Sequence, residues 1–292
     1  MKLLFGSALV AISLATSAQP ATNWASVDAA MGRPGAVQPG DVHRYSFPRS
    51  DLTVTLDGVR IKPALALGSW LAFRDKGSSA EVMGDLVLTQ DEVNPVLSRL
   101  LAGGLTITAL HNHLLRSTPA TMYMHVHGNG DAVKLAMSLR QALAASHTPT
   151  DAPPAAAPPE ALALDTKALD AALGAQGKAA GGTYQFSFPR AEPITEDGMP
   201  VPASLGLATA INFQATSQGH AVATGDFVMI GTEVPAVIAE LRRHGIEVTA
   251  LHNHLIGEQP RLFFMHFWGN GETASLAQGF RAALDRMNLA RR

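Results

Sequence analysis

Cysteine is absent from all 292 residues. Its absence excludes disulfides, thiolate ligands, a cysteine nucleophile and a lipid-modified N-terminal cysteine. Any transition-metal site in this chain has to be built from His, Asp, Glu or Met. Charge is also scarce: charged residues make up 16% of the sequence, below the roughly one quarter usual for a globular chain. The formal net charge is −2. So little charge leaves no electrostatic footprint for nucleic acid or an acidic membrane, and neither is expected as a partner. After the first residues, no apolar run reaches the roughly 18 residues of a spanning helix. No integral membrane segment is expected in the mature chain.

The N-terminus has the order of an export signal: Lys2, an apolar run from Leu3 to Ala15, then the small residues Thr16-Ser17-Ala18. Residues 1–18 are read as a signal peptide and the mature protein as exported, periplasmic or secreted.

What is present is a long unit written twice. Leu110-His111-Asn112-His113-Leu114 returns as Leu251-His252-Asn253-His254-Leu255, and each copy is followed by a third histidine, His125 or His266, ahead of a Gly-Asn-Gly. Upstream, Tyr45-Ser-Phe-Pro-Arg49 answers Phe186-Ser-Phe-Pro-Arg190, and Gly84-Asp85 answers Gly225-Asp226. Repeats of this length are domain-sized, so the pattern is a tandem duplication and not a solenoid. The units are placed at 24–146 and 163–290. Between them, 147–162 is rich in Pro and Ala, the composition of a semi-rigid linker.

Each unit is expected to be α+β, an antiparallel sheet with helices packed on one face. A short helix begins near Trp24 or Leu164. Strands are expected at His43–Phe47, Val54–Leu56, Ala64–Phe73 and Val82–Thr89, with counterparts at Thr183–Phe188, Ser204–Gln214 and Ala221–Ile230. Asp57-Gly58 and Asp197-Gly198 are turn signals. A helix starts at Asp91 or Thr232, with Val93, Val96, Leu97 and Leu100, or Val234, Val237, Ile238 and Leu241, on one face. Two strands follow, Leu105–Leu115 and Thr121–His127 in one unit, Ile246–Ile256 and Arg261–Trp268 in the other. Gly128-Asn129-Gly130 and Gly269-Asn270-Gly271 are read as tight turns before a closing helix, which opens at Asp131 or Glu272.

Side chains alternate across a strand, so His111 and His113 share a face, as do Tyr123, His125 and His127. A hairpin centred on Pro119 would set His111 opposite His127 and His113 opposite His125. The second unit offers His252, His254 and His266, with Trp268 in the place of His127 and Glu258 in that of Ser117. The other face, Leu251, Leu255, Met265 and Phe267, is expected against the helices, with Met122 and Met124 likewise in core. The histidine face then looks into a cleft or towards the other copy.

Crowded imidazoles need a reason, since neutral ones need hydrogen-bond partners if buried and protonated ones repel. Three histidines, with or without a carboxylate, match the ligand sets of divalent transition metals, Zn²⁺ first, with Fe, Mn or Cu as alternatives. The expected ligands are His252, His254, His266 and Glu258, then His111, His113, His125 and His127. Glu258 doubles as a candidate catalytic base, and Asp85 and Asp226 as further ligands or as groups that orient a ring.

The pattern Leu-His-Asn-His-Leu, then Gly257-Glu258-x-Pro260, then Met265-His266-Phe267-Trp268-Gly269 resembles the LppY/LpqO-like family of exported bacterial proteins, a domain of unknown function. The resemblance covers both units; the first departs from it at Ser117 and His127. It implies an exported location and brings no activity. Two functions are therefore expected in competition. One is transition-metal binding, extending to metal-assisted hydrolysis of a small-molecule substrate. The other is a non-catalytic ligand-binding or assembly module whose histidines line a cleft or the contact between repeats.

Overall fold

The computed structural model describes residues 22–151 and 161–290. The signal-peptide reading and the central part of the linker lie outside the described residues. The first repeat runs α1 (Trp24–Met31), β1 (Ala36–Gln38), β2 (Val42–Pro48), β3 (Thr55–Leu56), β4 (Val59–Arg60), α2 (Pro63–Ala66) and β5 (Gly68–Asp75). It continues with β6 (Ala80–Thr89), α3 (Gln90–Ala102), β7 (Thr106–His111), β8 (Thr121–Gly130) and α4 (Ala132–Leu143). The second opens with α5 (Thr166–Leu173), β9 (Lys178–Ala180), β10 (Thr183–Pro189), β11 (Thr195–Glu196), β12 (Met199–Pro200) and a 3₁₀ turn at Ala203–Leu205. It closes with β13 (Ala208–Ser217), β14 (His220–Ile230), α6 (Val234–Arg243), β15 (Glu247–His252), β16 (Leu262–Glu272) and α7 (Thr273–Leu284).

Each repeat is one antiparallel six-stranded sheet, in the order β1-β2-β5-β6-β8-β7 and β9-β10-β13-β14-β16-β15. This is the expected α+β class. One face of each sheet carries that repeat's own helices: Leu86, Met124 and Val126 meet Val96, Leu100 and Leu139 in the first, and Phe227, Met265 and Phe267 meet Leu241 and Phe280 in the second. The other faces meet each other. Val42, Ala72 and Met83 pack with Val201, Leu205, Val228 and Phe264, while Leu56, Val87 and Tyr123 pack with Val222 and Trp268. A sheet covered on both sides has no polar parity left, and β6 is accordingly buried from Ala80 through Leu88.

The paired motif ending in Arg49 and Arg190 anchors the helix after the long central strand. Arg49 is fully buried; its Nη1 donates to Val87 O at 2.7 Å and to Glu92 Oε2 at 2.8 Å. Arg190 repeats this on Val228 O and Glu233 Oε2, both at 2.7 Å. Glu92 closes a capping box with Thr89, and Glu233 is itself the N-cap of α6 and accepts from Ile230 N at 2.9 Å. These caps replace the expected starts at Asp91 and Thr232, because a carboxylate that also holds a buried guanidinium is fixed more firmly than a free one.

Other expectations shift for local reasons. The strand expected over Ala64–Phe73 begins only at Gly68, since Pro63 sits at the first position of a helical turn. Its counterpart over Ser204–Gln214 likewise begins at Ala208, after a turn capped by Pro202. Gly128-Asn129-Gly130 is no turn: these residues stay in β8, paired with Val82, Glu81 and Ala80. Gly269-Asn270-Gly271 pairs the same way with β14. The glycines are needed for close packing, because a β-carbon at Gly128 would lie 3.0 Å from Leu105 and Leu135, and one at Gly269 2.8 Å from Leu276.

The turn signals at Asp57-Gly58 and Asp197-Gly198 do hold. All four residues have positive φ and close the small hairpins β3–β4 and β11–β12. Each hairpin is tied to its own repeat's histidine loop, through Thr55 N to Thr118 O and Thr195 N to Gln259 O, both at 2.9 Å. From there each reaches across to the sheet of the other repeat.

Candidate metal centre between the repeats

The histidine strands end sooner than the alternation suggests. β7 stops at His111 and β15 at His252, so His113 and His254 stand on the loops that follow. A bulge between Ile107 and Ala109 moves the register, placing Tyr123 opposite His111 and Ala109 opposite His125; His127 faces Thr106. The second repeat repeats this, with Phe264 opposite His252 and Ala250 opposite His266. The hairpin is therefore not centred on Pro119. The expected helix-side face also divides: Met124, Met265 and Phe267 are in the helix-side cores and Met122 packs beside them, Leu255 turns to the inter-repeat layer, and Leu251 is exposed.

Facing sheets bring the histidines of both copies into one cluster. His111 stacks on His252 and His113 on His266, each with 3.5 Å between ring centroids, and His125 stacks on His254 at 3.7 Å. Every one of these pairs joins one repeat to the other. Tyr123 stacks on His113 at 3.3 Å and, at the equivalent place, Phe264 on His254 at 3.5 Å. Asn112 adds a cross-repeat tie, donating from Nδ2 to Thr249 O at 3.1 Å.

The polar satisfaction of this cluster is one-sided. His266 Nδ1 lies 2.8 Å from Gly225 O, His111 Nδ1 3.1 Å from Asn112 O and His252 Nδ1 3.3 Å from Asn253 O. His125 has the equivalent backbone bond to Gly84. A carbonyl only accepts, so these Nδ1 atoms carry the protons and leave the Nε2 lone pairs bare. The Nε2 atoms of His111, His113, His125, His252, His254 and His266 are all buried without a hydrogen-bond partner, and so are Asp85 Oδ1 and Asp226 Oδ1.

Burial dominates the electrostatics. It lowers the pKa of His111 to about 4 and that of His252 to about 3. Burial, reinforced by the neighbouring rings, holds His113, His125, His254 and His266 well below the ordinary imidazole value. The rings are neutral, as metal ligation requires. Asp85 Oδ2 lies 3.8 Å from His113 Nε2 and Asp226 Oδ2 3.5 Å from His254 Nε2. Burial pushes Asp85 up to about 8 against the pull of Arg44, and burial followed by the charge of Asp85 pushes Asp226 well up.

Ligand atoms come within 4.8 Å of one another in the sets His111-His113-His266, His111-His125-His252-His254, Asp85-His113-His125 and Asp226-His254-His266. Each set built on a His-x-His pair takes a further histidine from the opposite repeat. Two expected members are elsewhere. Glu258 is fully buried but turned to the backbone, with Oε1 accepting from Leu262 N at 2.9 Å and Oε2 from Arg261 Nη1 at 3.3 Å. His127 lies with Glu81 and Glu196 in a separate group.

Sequence reasoning missed the glycines before the two aspartates, although both copies keep the Gly-Asp pair. Their carbonyls hold His125 and His266, and a side chain has no room: a β-carbon at Gly225 would lie 1.9 Å from Ala210 O, and one at Gly84 2.7 Å from Trp70 O. Gly225→Ala is expected to cost about 1–3 kcal/mol, the usual range for overpacking, and to displace His266. Urea denaturation of the variant beside wild type measures the first effect, and histidine ¹⁵N chemical shifts the second.

The family relation follows the same division of the chain. A family model described as "Domain of Unknown Function (DUF1259)" matches residues 25–145 and again 167–286. The chain belongs to this family. It carries the DUF1259 domain twice, so the duplicated family of unestablished function read from the histidine motifs is borne out; the LppY/LpqO label is no part of that description. No curated protein matches the chain. Among solved structures, the chain is similar to a trimeric bacterial microcompartment shell protein, PduB, at 12% identity and a TM-score of 0.25, covering 88% of this chain and 91% of that one. It is also similar to EtuB from Clostridium kluyveri, at 8% identity and a TM-score of 0.24, covering 87% and 89%. TM-scores of 0.25 and 0.24 transfer neither an assembly nor a role to the DUF1259 pair. Among the described residues no helix is long and apolar enough to cross a membrane.

Proposed function

We propose that this is an exported metal-binding protein whose centre is shared by its two repeats and takes a divalent transition metal, Zn²⁺ first. The observation that carries the reading is the set of six buried imidazole Nε2 atoms without partners. A buried polar atom left bare costs about 1–3 kcal/mol. Four of the six are bare acceptors, because backbone carbonyls hold the Nδ1 protons of His111, His125, His252 and His266. This supports a site for something that accepts lone pairs. Imidazole donors without thiolate suit Zn, Cu, Fe and Ni better than Mg or Ca. His111, His113 and His266 form one ligand set and, by the equivalence of the repeats, His252, His254 and His125 the other. When bound, such an ion supplies Lewis acidity and an acidified water, the chemistry of metal-assisted hydrolysis. The chain's own contribution is to hold ring orientation through Gly84 and Gly225 and to keep Asp85 and Asp226 beside the rings as proton-holding groups.

The test is elemental analysis of the exported protein, prepared without a histidine tag, beside His252→Ala/His254→Ala. On the order of one or two equivalents of a single transition metal are expected in wild type, one for each three-histidine set, with a clear loss in the variant. Metal in neither, before or after reconstitution, would leave the rival reading. That rival is a non-catalytic module in which the stacked neutral rings join the repeats, and it is favoured by the three cross-repeat ring pairs at 3.5–3.7 Å.

A further inference from the structure

His127 departs from the second copy, which has Trp268 at that position, and it does not depart alone. On the second sheet Trp268 is buried with Val222 and with Leu56, which the β3–β4 hairpin brings across from the first repeat. The equivalent positions on the other side are His127, Glu81 and Glu196, the last carried across on the β11–β12 hairpin. An apolar trio on one side thus stands where the other side has one imidazole and two carboxylates. Random drift at an inter-repeat contact would not be expected to place three metal-ligating side chains at three touching positions, since each burial of a polar group is unfavourable on its own.

The geometry of the trio is convergent. His127 Nε2 lies 3.2 Å from Glu81 Oε1 and 4.0 Å from Glu196 Oε2. The side chains of Glu81, Glu196 and His127 are 3%, 12% and 17% exposed. Arg74 holds the other oxygen of Glu81, which fixes that carboxylate and leaves Oε1 turned to the imidazole. Glu196 Oε2 is buried, directed at His127, and has no hydrogen-bond partner. Glu81, Asp197 and Glu258 bring further carboxylates around it, and the nearby Arg74 guanidinium is engaged by Glu81 and Pro200 O. A buried, unpartnered carboxylate oxygen inside a negative pocket is stabilised by a cation.

We infer that Glu81, His127 and Glu196 form a second cation site, separate from the histidine centre, that binds one divalent ion such as Zn²⁺ or Mn²⁺ between the repeats. One nitrogen and two carboxylates are a donor set suited to a divalent ion and leave coordination positions for water. Because Glu196 comes from the second repeat and the other two ligands from the first, an ion here pins the β11–β12 hairpin to the first sheet. The second copy reaches the same end without metal, by burying Leu56 and Trp268.

The test is calorimetric titration with Zn²⁺ and, separately, Mn²⁺ on the full mature chain bearing His113→Ala/His254→Ala, which takes one ligand from each three-histidine set. One further equivalent is expected to bind that protein. Adding Glu196→Gln, nearly isosteric, is expected to weaken this equivalent at least tenfold, and adding Glu196→Leu, the residue of the sibling position, to abolish it while the chain remains folded by circular dichroism. Binding unchanged by both Glu196 substitutions, or no residual binding with either ion in the parent, would overturn the site. Neither outcome depends on whether the histidine centre itself is loaded in wild type.

Discussion

His113→Ala is expected to weaken transition-metal binding as much as His266→Ala, although the two residues lie in different repeats. The reason is the crossed arrangement of the ligand sets. His113 reaches the centre from the loop after β7, and the histidine ring packed on it is His266 of the opposite sheet, at 3.5 Å. Were each repeat to hold its own ion, a change in the first repeat would spare the second, and the losses would follow the repeat that was altered. With crossed sets, His113 and His266 serve the same ion. Each single change is expected to cost at least about 100-fold in affinity, above the roughly 10–100-fold seen when only a group supporting a ligand is lost. Competition with a chromophoric chelator measures this directly. Losses that sort by repeat, His113→Ala with His125→Ala against His254→Ala with His266→Ala, would contradict crossed sets. The crossed arrangement also predicts coupling to stability, since a ligand present at 100 times its dissociation constant adds about 2.7 kcal/mol to the state that binds it. Thermal melts of the metal-loaded and chelated proteins are expected to differ accordingly, and His113→Ala to erase the share contributed by the His111-His113-His266 set.

Much of this centre is legible in the sequence. The duplicated Leu-His-Asn-His-Leu named four of its histidines, and the period of two along a strand correctly set His111 and His125 on the face turned from the helices. What the letters left open was the partner of that face, a cleft or the other copy. Alternation says that a face is special, not what it meets, so the cross-repeat ring pairs had no signature in either copy alone. Register failed for a related reason: the bulge at Ile107/Ala109 and the early end of β7 at His111 are decided by how the sheet twists, which shifts Tyr123 opposite His111. Glu258 misled because a carboxylate spaced like a ligand was equally well placed to cap Leu262 N. The departure at His127 pointed to a difference between copies, and its meaning emerged only when Glu81 and Glu196 were seen beside it. Arg49 and Arg190 were visible only as matching letters. Their signal was present, a charged residue retained in two apolar surroundings, but its partners lie 43 residues on, at Glu92 and Glu233.

Those arginines carry the largest stability effect expected in the molecule. Arg49→Met is expected to destabilise the apo protein by about 3–5 kcal/mol, the cost of breaking a buried ion pair by removing one partner. The change strands more than one charge. Glu92 loses the guanidinium, Val87 O loses a donor, and Asp51, bound to Arg49 Nη2 at 2.9 Å, is released. Arg190→Met should cost a similar amount in the second repeat, through Glu233 and Val228 O. The pH dependence gives an independent check. Burial raises the Glu92 carboxyl, but the hydrogen bonds from Arg49 and from the His147 and Thr89 amides outweigh it and hold the pKa at about 2, below the ordinary value of 4.5. A depressed carboxyl stabilises fully above its unfolded pKa and loses that contribution as pH falls towards the folded one. The gap in urea midpoint between wild type and Glu92→Gln should therefore be constant from pH 7 to about 5 and close steadily from about 4.5 to about 2. A gap that stays open to pH 2 would mean that Glu92 acts through shape and not through charge. In that case the cost of Arg49→Met would have to come from lost packing alone, and Arg49→Lys, which restores the charge without the guanidinium fork, should be no better tolerated than Arg49→Met.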